Sequence, residues 1–404
     1  MGRGAAALLV ASGLAMVPSA RGQGAATPSF PAAARRVVVD VVVTDREGVP
    51  VTGVTAADFE VSEDGRAQTV ASFEEIGAPS AATDSGPASS TAREAVPAIA
   101  PRPSRLHVVA LDDVNLTPYK MSRAKAAVAA FLRALPPDDA VLLVPTSSGE
   151  GKLSSSAESR EDLVEMLRGL PAGYLPDLSP DRMTDYEAMM VYVLRDPEME
   201  ERVRRRISVR AASGLSVAAI AGNTWMRAES RIRTTLRTLD RVIGTVAAEK
   251  GRKSIVLVSE GFVLAPRSED FRQVTQAAMR ANAVFYFLDA RQMVLGASEY
   301  PVDSNSLGSN QVAIALADQA GDVAGAEALA EDTGGFSIRN SNDLAGGLRR
   351  IAAESRAYYL VAYDPTKEPD GKYRKIRVRV KRKDVRVRAR KGYYADEATR
   401  TSAS

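Results

Sequence analysis

The chain has 404 residues, 45% hydrophobic and 25% charged, which suits one sizeable α/β core with a smaller module beside it and excludes wholesale disorder. Its 53 Lys and Arg balance 50 Asp and Glu to a formal net charge of +3, which argues for neither a nucleic-acid protein nor an acid-loving one. The absence of Cys excludes disulfides, thiol catalysis, iron-sulfur ligation and thiolate zinc sites, and the single His, His107, excludes a multi-His zinc site and leaves a Ser-His-Asp triad one imidazole to use.

At the start, Arg3 precedes an apolar run over residues 5–17, followed by the small residues Ser19, Ala20 and Gly22, the pattern of an export signal over 1–22. The run is too short to span a bilayer comfortably, no later stretch reaches transmembrane length, and no Cys follows it to carry a lipid. Small and polar residues over 23–35 read as a flexible lead-in. The mature protein is therefore expected outside the cytoplasm, periplasmic or secreted, without a transmembrane segment and compatible with association to the envelope.

Residues 36–76 read as a small β module: Val37 to Val39 and Val41 to Val43 build a strand, a second runs around Phe59 to Ser62, and Glu63, Asp64 and Gly65 supply a turn. A linker over 77–103, rich in Ala, Ser, Pro and Gly, follows without apolar period.

Over 104–365 strands and helices alternate, which predicts a doubly wound, mostly parallel α/β sheet. Apolar strands are expected at 106–111, 140–145, 254–259 and 283–288, a short one at 336–338 and a last one at 357–363. Helices are expected at 122–135, 160–170, 228–249, 269–281 and 343–355, the longest carrying Ile232, Leu236, Leu239, Val242, Ile243 and Val246 at helical spacing. Residues 171–227, with Met183, Met189, Met190 and a charged run from Arg202 to Arg206, break this rhythm and read as a helical insertion on the rim of the sheet, either a solvated lid or a carrier of partner specificity. In the final segment, 366–396, Ile376, Val378 and Val380 alternate with Arg377, Arg379 and Lys381, and Val385, Val387 and Ala389 repeat the pattern, which predicts an amphipathic hairpin packing on the β module.

The chemistry-bearing segment is the loop Asp112, Asp113, Val114, Asn115, Leu116, Thr117, immediately after the first buried strand, where open α/β sheets bind ligands. Asp113, Asn115 and Thr117 put three short oxygen-bearing side chains on alternate residues, a pattern suited to a hard cation such as Mg²⁺ or Ca²⁺, and Glu260 follows the strand 254–259 at the same rim. The same residues also serve to cap a helix and a turn.

These features resemble the von Willebrand factor A domain, and more closely the VWFA-related proteins of acidobacterial type. The resemblance is carried by Lys253 to Phe262 (Lys-Ser-Ile-Val-Leu-Val-Ser-Glu-Gly-Phe), Asp58 to Gly65 (Asp-Phe-Glu-Val-Ser-Glu-Asp-Gly), Ala330 to Phe336 (Ala-Glu-Asp-Thr-Gly-Gly-Phe), Tyr358 to Pro365 (Tyr-Tyr-Leu-Val-Ala-Tyr-Asp-Pro) and Arg388 to Tyr393 (Arg-Ala-Arg-Lys-Gly-Tyr). It implies a divalent cation held by an Asp-x-Ser-x-Ser loop, a Thr from a second loop and an Asp from a third, with one coordination place open to an acidic group of a partner. On this chain Asp113, Asn115 and Thr117 match the first element with substitutions, Glu260 stands for the third, and Thr224 and Thr235 both qualify as the Thr. If Asp112 heads the loop instead, its alternate positions are Val114 and Leu116, which cannot ligate, and no metal is expected.

His107, inside a buried strand, reads as structural. The basic face of the final hairpin has no interleaved aromatics to stack bases, so nucleic acid is not expected, and Gly334 and Gly335 lack the spacing and Lys of a phosphate loop. The expectation is an exported, non-enzymatic module that recognises a protein partner at the carboxyl edge of its sheet, with a cell-envelope scaffold contacting anionic surfaces through the basic hairpin as the alternative. A hydrolase would need metal-bound water and a paired general acid, which the chain does not offer.

Overall fold

Apart from His107, which finds a buried partner in Asp139, Leu106–Leu111 is apolar on both faces, and the structure, a computed structural model, places it inside a six-stranded sheet. Residues 36–77, 105–148, 151–154, 160–174, 182–208, 216–249, 251–291 and 309–395 are described. The expected export signal, its lead-in and nearly all of the 77–103 linker lie outside them.

In chain order the first strands are β1 (Val37–Thr44), β2 (Phe59–Glu63), β3 (Arg66–Gln68), β4 (Val70–Ile76) and β5 (Leu106–Leu111). Then come α1 (Pro118–Ala134), β6 (Ala140–Pro145), β7 (Lys152–Ser154), α2 (Arg160–Gly169), α3 (Asp185–Ala188), a π-helical turn (Met189–Val193), α4 (Pro197–Ser208) and α5 (Val217–Val246). The chain continues through β8 (Lys253–Ser259), α6 (Glu269–Arg280), β9 (Ala283–Asp289), α7 (Ser309–Asp332), β10 (Ser337–Ile338) and α8 (Leu344–Glu354). It closes with β11 (Tyr358–Tyr363), β12 (Tyr373–Val380), β13 (Arg386–Arg388) and β14 (Gly392–Tyr394).

The large sheet has the order β10-β9-β8-β5-β6-β7, all parallel except the antiparallel edge strand β7. Alternate residues of each strand feed two cores. Val108, Leu142, Ile255 and Phe285 meet α5, α6, α7 and the insertion, while Val109, Leu143, Val256 and Tyr286 meet α1, α2 and α8. This is a doubly wound α/β fold of the von Willebrand A and Rossmann kind. From β5 the chain winds first to β6 on one side and later to β8 on the other, so the topological switch point lies at the carboxyl ends of β5 and β8.

The flanks of the chain form two four-stranded antiparallel sheets, β13-β1-β11-β4 and β14-β12-β2-β3, around Val39, Val41, Phe59, Val61, Tyr359, Val361 and Ile376. The rings of Phe59, Phe73 and Tyr359 are mutually 5.5 Å apart, and the buried Glu63 accepts hydrogen bonds from the hydroxyls of Tyr363 at 2.8 Å and Tyr393 at 2.9 Å. Two expectations change here. β11, read as the last strand of the α/β domain, pairs antiparallel with β1 and β4, because Tyr359, Val361 and Tyr363 all face the core of this second layer. The expected final hairpin does not close on itself: β12 pairs with β2 and β14, whereas β13 pairs with β1.

A buried polar layer joins the two parts. Arg252 donates to the Tyr286 hydroxyl at 2.8 Å and lies 3.6 Å from Glu354, which also pairs with Arg388, and Asp40 of β1 lies 3.9 Å from Arg252. The end of the expected insertion, 217–227, belongs to α5, which starts at Val217 and not near 228, and the rest of the insertion joins Trp225 of that helix in the main core through Met183, Met189, Met199 and Val203. Among the described residues no helix is long and apolar enough to cross a membrane.

Candidate functional site

The apolar run of β5 ends at Leu111, and the next residue must place a carboxylate beside the buried ends of two neighbouring strands. Asp112 is fully buried and its side chain is surrounded by donors. Thr235 Oγ1 at 2.8 Å and Thr146 Oγ1 at 2.9 Å donate to Oδ1, and Ser259 Oγ at 2.5 Å and Asn115 Nδ2 at 2.9 Å donate to Oδ2. Burial raises the pKa of Asp112, against the opposing pull of these four bonds. Each donor comes from a different element. Thr146 follows β6, Ser259 ends β8, Asn115 closes the turn after β5, and Thr235 projects from α5. Thr238, on the same helix, donates to the Thr146 carbonyl at 3.0 Å and ties α5 to that loop.

The neighbouring Asp113 points elsewhere, accepting from Ser147 N at 2.8 Å and Ser147 Oγ at 2.5 Å, while the Thr146 hydroxyl, whose single proton it shares with Asp112, lies 3.1 Å away. Thr117 is the N-cap of α1, which starts at Pro118 rather than near Ser122, since Pro fits the first turn where a missing N–H costs nothing. The Thr117 side chain makes no capping bond, and Glu260 takes over that role. Its Oε1 accepts from Thr117 N at 2.8 Å and its Oε2 from Lys120 Nζ at 2.6 Å, a carboxylate at the positive end of a helix. Thr224 lies about three turns before Thr235 on the same helix, on the order of 16 Å along its axis, so of the two Thr candidates Thr235 is the one at the cluster.

The structure thus gathers Asp112, Asn115 and Thr235 in one cluster and directs Asp113, Thr117 and Glu260 into adjoining contacts. Thr146, Ser147 and Ser259 join the site without having been singled out from the sequence. Their signal was positional: each is a short hydroxyl residue at the carboxyl end of a buried strand. Arg231, whose Nε donates to Asn115 Oδ1 at 3.1 Å and whose Nη2 donates to Asp185 Oδ2 at 2.6 Å, has no such local signal.

The cluster consists of the Asp112 carboxylate, three hydroxyls and the amide nitrogen of Asn115, whose carbonyl faces Arg231 instead. The carboxylate and the hydroxyls are hard oxygens of the kind a divalent cation takes, and both Asp112 oxygens are occupied by hydrogen bonds from the cluster. Among the described residues no group of three or more His, Cys, Asp or Glu side chains could hold a metal ion.

His107 lies at the other end of β5, fully buried, with Nε2 3.3 Å from Asp139 Oδ2 and its ring edge-on to Phe131. Burial alone would raise the Asp139 carboxyl, but the bond and charge of His107 and the charge of Arg356 hold it below its ordinary value. This pair sits about 16 Å along the strand from the Asp112 cluster. Arg377 and Arg379 on β12 and Lys381 just past its end are exposed.

No family model matches the chain, and no curated protein matches it. Among solved structures it is similar to an aerotolerance-related membrane protein from Bacteroides fragilis NCTC 9343 with multiple mutations to serines, at 12% identity over 62% of this chain and 98% of that one, with a TM-score of 0.32. It is also similar to the N-terminal domain of TFIIH p34, at 11% identity over 62% of this chain and 96% of that one, with a TM-score of 0.28. The fold assignment rests on the strand order and the two-faced core described above.

Proposed function

We propose that this chain is an exported, non-enzymatic binding module of the von Willebrand factor A type that takes a protein partner at the carboxyl edge of its large sheet. The observation that carries the reading is the cluster of Asp112, Asn115, Thr146, Thr235 and Ser259 at the switch point between β5 and β8. A site assembled from four separate segments at that position specifies a ligand place more than a turn. The only imidazole of the chain belongs to the opposite edge, so this site has no imidazole base. With Asp112 heading the loop, Val114 and Leu116 cannot ligate, so Mg²⁺ or Ca²⁺ would have to draw on the Asp112 carboxylate and the hydroxyls of Thr146, Thr235 and Ser259, and such a cation would supply a coordination place for an acidic side chain. Residues 1–22 support export.

The test compares wild-type and Asp112→Asn protein, each without residues 1–22, as baits in envelope extract of the native organism. Proteins retained by wild type and lost by the variant support the reading; the same set on both baits contradicts it.

The exposed row Arg377, Arg379 and Lys381 favours a second reading, a scaffold that contacts anionic envelope polymer. Salt-sensitive binding to envelope polysaccharide that survives Asp112→Asn and disappears when the three cations are neutralised would select it.

A further inference from the structure

Arg231 stands one turn before Thr235 on α5, and its guanidinium is held on three sides. Nε donates to Asn115 at 3.1 Å, Nη2 donates to Asp185 at 2.6 Å, and Cζ lies 4.7 Å from the centre of the Tyr174 ring. Tyr174 is brought there by Gly173, whose N donates to the Asp113 carbonyl at 2.8 Å and where a Cβ would lie 2.8 Å from that same oxygen. A guanidinium stacked on a ring and fixed at Nε is a preorganised fork for a carboxylate.

Its present carboxylate comes from the insertion. Asp185 opens α3, just after Thr184, whose hydroxyl accepts from Glu187 N at 3.0 Å, and α3 is secured separately where Tyr186 N donates to Asp322 at 3.1 Å. The Asp185 side chain can therefore turn away without unseating the helix. The ion pair leaves 30% of the Asp185 side chain and 20% of the Arg231 side chain exposed, so the fork can be reached from solvent.

We propose that Arg231 is a carboxylate-binding site for an acidic side chain of a protein partner and that Asp185 is its built-in occupant, displaced when the partner binds. This rests on the reading of the edge as the partner-binding face, but it needs no cation at Asp112. Tyr174 and Asn115 set the plane of the fork, and the insertion supplies the competitor that keeps the site closed to weak ligands.

Acetate serves as the probe, in EDTA so that divalent cations play no part. The readouts are the Arg231 Nε–Hε and Asn115 side-chain amide resonances. Asp185→Asn is expected to titrate with a midpoint at least tenfold lower in acetate than wild type, Asp185→Glu to stay near wild type, and the Asn115 amide to stop responding in Asp185→Asn/Arg231→Gln. Equal midpoints for Asp185→Asn and wild type, or an Asn115 response that survives in the double variant, would overturn the proposal. Should Asp185→Asn fail to fold, wild type alone decides: saturating movement of both resonances with one midpoint supports the site, and static resonances overturn it. Because cation binding is measured separately, loss of the acetate response with cation binding intact sinks only this site.

Discussion

Ser259, the last residue of β8, donates to Asp112, the first residue past β5, through a 2.5 Å hydrogen bond between two fully buried side chains. Parallel pairing sets Leu111 against Val258, so the residues that follow each strand arrive side by side. A serine closing a run of apolar residues has a reason in that geometry. Ser259→Ala leaves Asp112 with one donor fewer in a dry setting and is expected to cost about 1–3 kcal/mol of stability, read from urea unfolding. A loss below about 0.3 kcal/mol would mean that the bond contributes little to the fold.

The attachment of the insertion is expected to weaken as pH rises. Burial, followed by the charge of Asp185, raises Asp322 from 3.8 to about 7. A raised folded-state pKa favours the protonated form in the native protein. The stabilising contribution is therefore fully present below about pH 4 and is lost as pH climbs to about 7. The side chain is only partly buried, so solvent trims the effect to about 1–2 kcal/mol. Asp322→Asn should flatten the pH dependence of hydrogen exchange at the Tyr186 amide between pH 4 and about 7; an unchanged profile would assign the dependence to another group.

In the smaller layer, Tyr363 and Tyr393 share one oxygen of Glu63. Either Tyr→Phe change is expected to cost about 1–2 kcal/mol, since a buried acceptor loses one of two donors. The double variant should cost measurably more than the two singles combined, because the second loss strips the buried carboxylate. Strict additivity in a double-mutant cycle would show that the two hydroxyls act independently.

Gly173→Ala tests how tightly the segment before the insertion is seated. The added methyl would approach the Asp113 carbonyl to 2.8 Å, and backbone cannot swing aside as a long side chain can. A cost of about 1–3 kcal/mol is expected, with the ring-current signature of Tyr174 on Arg231 reduced. Neutral stability would show that the loop shifts freely.

Much of the fold was readable from local pattern. Runs such as Ile255 to Val258 and Val284 to Leu288 have one physical use, a strand covered on both faces. The same logic misplaced Tyr358–Tyr363, because an apolar run of that length suits the middle of a parallel sheet and the middle of an antiparallel layer equally well, and only its partners β1 and β4 distinguish them. Helix α7 had no legible signature, since its Ala-rich sequence scatters its polar residues, Asp318, Asp322 and Glu327 among them, instead of gathering them on one face. At the site, alternation of oxygen-bearing residues pointed to Asp113, whereas the cluster forms on Asp112 because Thr235 arrives from α5 and Ser259 from β8, far away in sequence. Spacing within a loop cannot report what a distant helix brings to it.

Calorimetric titration of Mg²⁺ and Ca²⁺ into the wild-type protein and into the Asp112→Asn and Asp113→Asn variants tests the central claim most directly. Binding heat in wild type, its loss in Asp112→Asn and its survival in Asp113→Asn are predicted. The absence of heat in wild type, or equal heat in wild type and Asp112→Asn, would contradict a cation-assisted binding site at the carboxyl edge.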